Sequence, residues 1–139
     1  MFEMTFMKRW TPLVIFAGLL TLGLGCGKST VKGEGGKSLT LVKPANQTIT
    51  QGSTNKVLLT VVRGDFEGKV GIEIDDLPDG IALANDKESI AAGDNTLTVT
   101  MVADTDAALV KNHRVKVTAS GPNDMAVSEF FEVTVQSKN

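Results

Sequence analysis

Cysteine occurs once in this 139-residue chain, histidine once, tryptophan once and tyrosine not at all. Each scarcity removes a class of chemistry. A single cysteine cannot close an intramolecular disulfide, so an exported fold would be held by its core alone. A single histidine, His113, leaves one candidate imidazole base, and no nucleophile signature such as Gly-x-Ser-x-Gly accompanies it. His113 is therefore expected as a surface residue at a strand edge, and no enzyme activity is expected; a small hydrolase is the remote alternative. Trp10 falls in the N-terminal segment, so the rest of the chain offers only Phe66, Phe130 and Phe131 as aromatics. That is no stacking platform for a sugar. Clustered basic residues are also missing: residues 26–139 carry 12 Lys and Arg against 15 Asp and Glu, scattered along the chain, a formal charge of −3. Nucleic acid, which is held by clusters of Lys and Arg, is excluded as a partner.

What the chain does have begins with Lys8 and Arg9, followed after Trp10-Thr11-Pro12 by an apolar run from Leu13 to Leu24. A run of about 12 residues is too short for a membrane span, which takes about 20, and has the layout of an export signal. Met7-Lys8-Arg9 would begin such a signal as well as Met1 does, and Met4 is a third start. The run closes on Gly25-Cys26-Gly27. This stretch resembles the lipobox of bacterial lipoproteins, in which the leader is cut before the cysteine and the sulfur carries a diacylglyceryl group. The resemblance covers about 20 residues and departs at one position: Gly23, not leucine, stands three residues before Cys26. It implies cleavage between Gly25 and Cys26, lipidation of Cys26, and a domain held to a membrane of the bacterial cell envelope outside the cytoplasm. Several acyl chains at about 0.8 kcal/mol per buried methylene make such anchoring nearly permanent.

Gly23 to Thr30 also has the look of a phosphate loop, but Gly-x-x-x-x-Gly-Lys-Ser needs a glycine at position 22, where Leu22 stands. Nucleotide binding is excluded. Gly27 to Lys37 is rich in Gly, Lys and Ser and is expected to be a flexible tether, with a root-mean-square span of about 18 Å. The expected division is a signal peptide over 1–25, lipidated cysteine and tether over 26–37, and one domain over 38–137.

From Ser38 onward the apolar residues recur every second position. Val70, Ile72 and Ile74; Leu97, Val99 and Met101; Val115, Val117 and Ala119; and Phe131, Val133 and Val135 each alternate with polar or small neighbours. Shorter runs lie at Leu39–Val42, Gln47–Thr50 and Lys56–Val62. Pro, Gly, Asn and Asp punctuate the gaps, and Asp104 to Asn112 has room for one helical turn at most. Alternation of this kind suits antiparallel sheets with one wet face. About seven strands in about 100 residues predict an all-β sandwich.

The succession Val61-Val62-Arg63, Phe66 to Val70, Leu77-Pro78-Asp79-Gly80-Ile81, Ile90 to Gly93, Leu97 to Thr100 and Val115 to Ala119 looks like the Ig-like domains of bacterial exported and surface proteins. The cysteine pair, core tryptophan and corner tyrosine of antibody domains are absent. The resemblance implies a structural, adhesive or protein-binding module with an envelope partner, and brings no catalytic residues.

Three surface features remain. Asp75, Asp76 and Asp79 crowd one turn and Asp104 and Asp106 another, so calcium, which takes six to eight oxygens, would have to draw on both. A calcium- or small-ligand-binding protein is thus the alternative function, and no other cofactor is expected. Arg63-Gly64-Asp65 spells an integrin-read tripeptide but is expected to turn the chain, with Gly64 at positive φ. Phe130 and Phe131 are adjacent on one strand and point to opposite faces, which places Phe131 in the core and Phe130 outside as a partner-surface candidate.

Overall fold

The computed structural model describes residues 27–84 and 89–139. Cys26 and the leader lie outside the described residues, as do residues 85–88. Ten strands follow one another among the described residues: β1 (Lys28–Lys32), β2 (Ser38–Val42), β3 (Gln47–Thr50), β4 (Thr54–Gly64), β5 (Val70–Asp75), β6 (Ile81–Leu83), β7 (Ser89–Ile90), β8 (Thr96–Ala103), β9 (Val110–Ser120) and β10 (Ala126–Gln136). They form two five-stranded sheets, ordered β1-β2-β4-β8-β6 and β3-β10-β9-β5-β7.

All pairings are antiparallel except that of β3 with β10, which is parallel. The order β2-β4-β8-β6 facing β10-β9-β5 is that of the ABED and GFC sheets of the immunoglobulin sandwich, so the fold is an Ig-like β-sandwich. The expected fold class is the observed one. Each of the seven expected strands is present, most of them longer than the alternation marked; β1, β6 and β7 are additional.

Alternation places the core. Leu39 and Leu41 of β2, Val57, Leu59 and Val61 of β4, Val115, Val117 and Ala119 of β9, and Phe131 and Val133 of β10 are at most 1% exposed. Burying an aliphatic side chain of this size contributes about 1.5–3 kcal/mol. Among the described residues no polar or charged side chain is buried. The layer between the sheets is apolar, and the polar side chains of the described residues lie on the outer faces, edges and loops.

Two local expectations are corrected. The Gly27–Lys37 segment is no free tether: β1 pairs with β2 from Lys28↔Val42 to Lys32↔Ser38, Gly27 O accepts from Lys43 N at 2.7 Å, and Glu34–Gly36 closes the return as a 3-10 turn. Its composition offered little to bury, yet half-buried Val31 packs against the core, and backbone pairing supplies the rest. The helical turn expected within Asp104–Asn112 is a tight turn closed by Ala107 N donating to Asp104 O at 3.1 Å, after which β9 begins at Val110.

Candidate functional surfaces

The sheet β3-β10-β9-β5-β7 carries Phe130 on its outer face. Cross-strand pairing sets Phe130 opposite Lys116 and Glu132 opposite Arg114, and Lys116 in turn opposite Asp75 of β5. The guanidinium of Arg114 lies over the Phe130 ring, 4.0 Å from its centroid. Phe130 is thus half-buried under a cation, not bare as parity alone suggested. Its partner, Arg114, escaped the sequence reading, because the pairing that brings the two together follows from the β9–β10 register. Phe131, on the opposite face, is in the core as expected.

The edge of β10 is finished by side chains where β3 stops. β3 pairs only with Val133 to Gln136. Just before that stretch, the Glu132 N–H donates to Asn46 Oδ1 at 2.9 Å and Lys43 Nζ donates to the Phe130 carbonyl. Ser29 Oγ of β1 donates to Glu129 Oε2 and so ties the edge of one sheet to the edge of the other.

His113 sits beside a bulge in β9. The register passes from Val133↔His113 to Val135↔Val110, one extra residue on β9, and Asn112 takes φ 55 there. His113 Nε2 donates to the Asp76 carbonyl at 2.7 Å, across to the turn after β5, where Asp76 has φ 65. The imidazole is half-buried and fastens a turn.

Four of the five aspartates considered for calcium, Asp76, Asp79, Asp104 and Asp106, fall in two neighbouring turns that the backbone joins. Asp104 N donates to Gly80 O at 2.9 Å and Ala108 N to Asp79 O at 3.1 Å. Gly80 is required there: its φ is +87, and a Cβ would come within 2.6 Å of Ala107 Cα. Asp75, the fifth, ends β5 opposite Lys116 of β9. The turns touch through peptide groups, and among the described residues no three acidic, cysteine or histidine side chains gather where a metal ion could be held.

An open groove of about 300 Å³ lies at the other end of the sandwich, lined by Val61, Val62, Arg63, Phe66, Glu67, Gly93 and Asn95. Its cation is spent. Arg63 Nε donates to Gly68 O at 2.7 Å; one terminal nitrogen reaches Asp94 O at 2.5 Å and Asn95 Oδ1 at 3.4 Å, the other Ala91 O at 3.0 Å and Ile90 O at 3.3 Å. A guanidinium has five N–H donors, so none is left for a ligand. The Arg63-Gly64-Asp65 tripeptide is not itself the turn that was expected: Arg63 and Gly64 end β4, paired with Leu39 and Ser38 of β2, and the chain leaves the strand at Asp65, which takes the left-handed conformation in place of Gly64, at φ 60. Gly64 instead lies close against β2, where a Cβ would meet Ser38 Oγ at 2.2 Å and oblige that hydroxyl to turn away.

The other outer face, on β1-β2-β4-β8-β6, is different in kind. Leu58 and Val62 of β4 are 57% and 54% exposed there, among threonines. Thr30 and Thr40 bond through their hydroxyls at 2.7 Å.

No family model and no curated protein matches the chain. Solved structures that resemble it include a chimeric titin Z1Z2 functionalised with a KLER peptide from decorin, at 13% identity over 80% of this chain and 95% of that one, TM-score 0.43. The titin M3 domain follows at 18% identity over 67% and 90%, TM-score 0.40. A mutant complex of titin M10 with an obscurin-like 1 Ig domain has 11% identity over 81% and 95%, TM-score 0.43. At such identities and scores these likenesses carry no functional weight, and the fold assignment rests on the strand order.

Proposed function

We propose that the protein is a lipid-anchored, non-catalytic module of the bacterial cell envelope, held by Cys26 and binding a protein partner through the outer face of the sheet β3-β10-β9-β5-β7. The observation that carries the partner surface is the Arg114–Phe130 stack, 4.0 Å from cation to ring centroid. A stacked aromatic and arginine on a rigid strand pair lose little conformational entropy on contact, and such residues dominate binding energy where proteins meet. Lys116, Glu132 and Asp75 surround the pair with charges of both signs, the composition of a polar rim. The lipid anchor is supported by the leader and by the Gly25-Cys26 junction.

Site-specific photo-crosslinking in intact cells tests the reading. A crosslinker at position 130 is expected to capture a discrete protein, and Arg114→Ala to weaken that capture. A crosslinker at Thr98, on the opposite sheet, serves as the control. Capture from position 98 but not from 130 would overturn the assignment of the surface.

A further inference from the structure

The charges of the domain are unevenly divided between its two sheets. The strands β1, β2, β4, β8 and β6 contain no Asp or Glu at all, while Lys28, Lys32, Lys56 and Arg63 lie on them. The opposite sheet holds Glu73, Asp75, Glu129 and Glu132. Arg63 is turned into its clamp, so the cations of the acid-free sheet are the three lysines, all exposed. Lys28 and Lys32 share parity with Thr30, which bonds outward to Thr40, and Lys56 shares parity with Leu58. This outer face therefore combines lysines, threonine hydroxyls and the exposed aliphatics Leu58 and Val62, in a chain whose formal net charge is −2.

The chain enters the domain on the same sheet. β1 begins at Lys28, two residues after Cys26, and Gly27 is already bonded to Lys43. Two residues reach at most about 7 Å, against the roughly 18 Å of a free tether of eleven residues.

We infer that the outer face of β1-β2-β4-β8-β6 lies against an anionic lipid surface, with Lys28, Lys32 and Lys56 on the headgroups and Leu58 and Val62 at their level. This rests on the lipid anchor at Cys26. An acyl group on Cys26, at most about 7 Å of chain from the edge strand, keeps this sheet within reach of the bilayer. The uniform sign of its charge then selects this face over the mixed-sign face of the other sheet. The Arg114–Phe130 surface is left pointing away from the membrane, free to meet a partner.

The experiment uses the chain purified from membranes, with acylation read first from its intact mass. Because Cys26 is the only cysteine and its sulfur is then occupied, Leu58→Cys and, separately, Thr118→Cys each introduce one labelling site. Labelled proteins are reconstituted in vesicles of phosphatidylglycerol and phosphatidylethanolamine, and in vesicles of phosphatidylcholine alone. Quenching by a water-soluble agent is then measured. Shielding of position 58 but not 118, confined to the anionic vesicles, is expected. Changing Lys28, Lys32 and Lys56 to Gln is expected to lower the shielded-to-open ratio by about fivefold per lysine. Thr98→Cys provides a second position on the same face. An acylated protein with positions 58 and 118 equally quenched would overturn the inference while leaving the anchor intact. Shielding that grows with protein density at fixed lipid would also overturn it, in favour of a second copy as occupant. An intact mass without acyl groups would remove the anchor itself.

Discussion

Arg63 on β4 and Ala91, in the turn between β7 and β8, are joined by a hydrogen bond of 3.0 Å from guanidinium to carbonyl. The same side chain holds Gly68 in the loop before β5 and Asp94 in the turn before β8, so one residue fixes the two loops at that end of the sandwich. Replacing Arg63 by Ala releases five acceptors, and the fold is expected to lose about 2 kcal/mol, allowing for partial exposure of the contacts. For a domain of this size that is a fall of about 8 °C in Tm. Arg63→Lys should recover less than half of it, because an ammonium cannot reproduce the planar fork. Thermal melting of the three proteins checks this, and equal stability of Arg63→Lys and the parent would contradict the clamp.

Phe130 and Phe131 separate surface from core within one dipeptide. Phe131 is 1% exposed, and Phe131→Ala is expected to cost about 3–5 kcal/mol. Phe130→Ala removes a half-buried ring and its cation contact and should cost about 1 kcal/mol. Urea unfolding measures both. A cost for Phe130→Ala as large as that for Phe131→Ala would mean that Phe130 serves the fold instead of a partner.

Gly80 and Gly93 share a backbone conformation, with φ +87 and +90, but not surroundings. An alanine at position 93 meets nothing within 4 Å and should cost about 1 kcal/mol, for the left-handed conformation alone. An alanine at 80 meets Ala107 as well and should cost about 2–3 kcal/mol, since backbone has to move. The difference between the two melting curves measures how tightly the turns at 78–80 and 104–108 are joined.

Much of the sandwich was legible because period-two alternation is written directly into strands that are wet on one face. Val70–Ile74 and Val115–Ala119 need no partner to be recognised. β1 was not legible, for it has one apolar residue, Val31, and its reason for being a strand is the free edge of β2. β6 and β7 are three and two residues long, shorter than any periodicity can register. The candidate surface was half legible. Parity placed Phe130 outside, whereas Arg114 comes over it only through the β9–β10 register. The aspartates read as a cluster because they are close in sequence; their turns are drawn together by peptide hydrogen bonds, which side-chain spacing does not reveal. Arg63 read as part of a tripeptide, while its role depends on loops some thirty residues further on.

The anchor at Cys26 is the claim on which the placement of the domain depends, and the mass of the mature N-terminus tests it most directly. Protein recovered from cell membranes and analysed by mass spectrometry should begin at Cys26 and carry a diacylglyceryl group on its sulfur. A chain that keeps residues 1–25, or one that begins at or near Cys26 with a free thiol, would contradict the account.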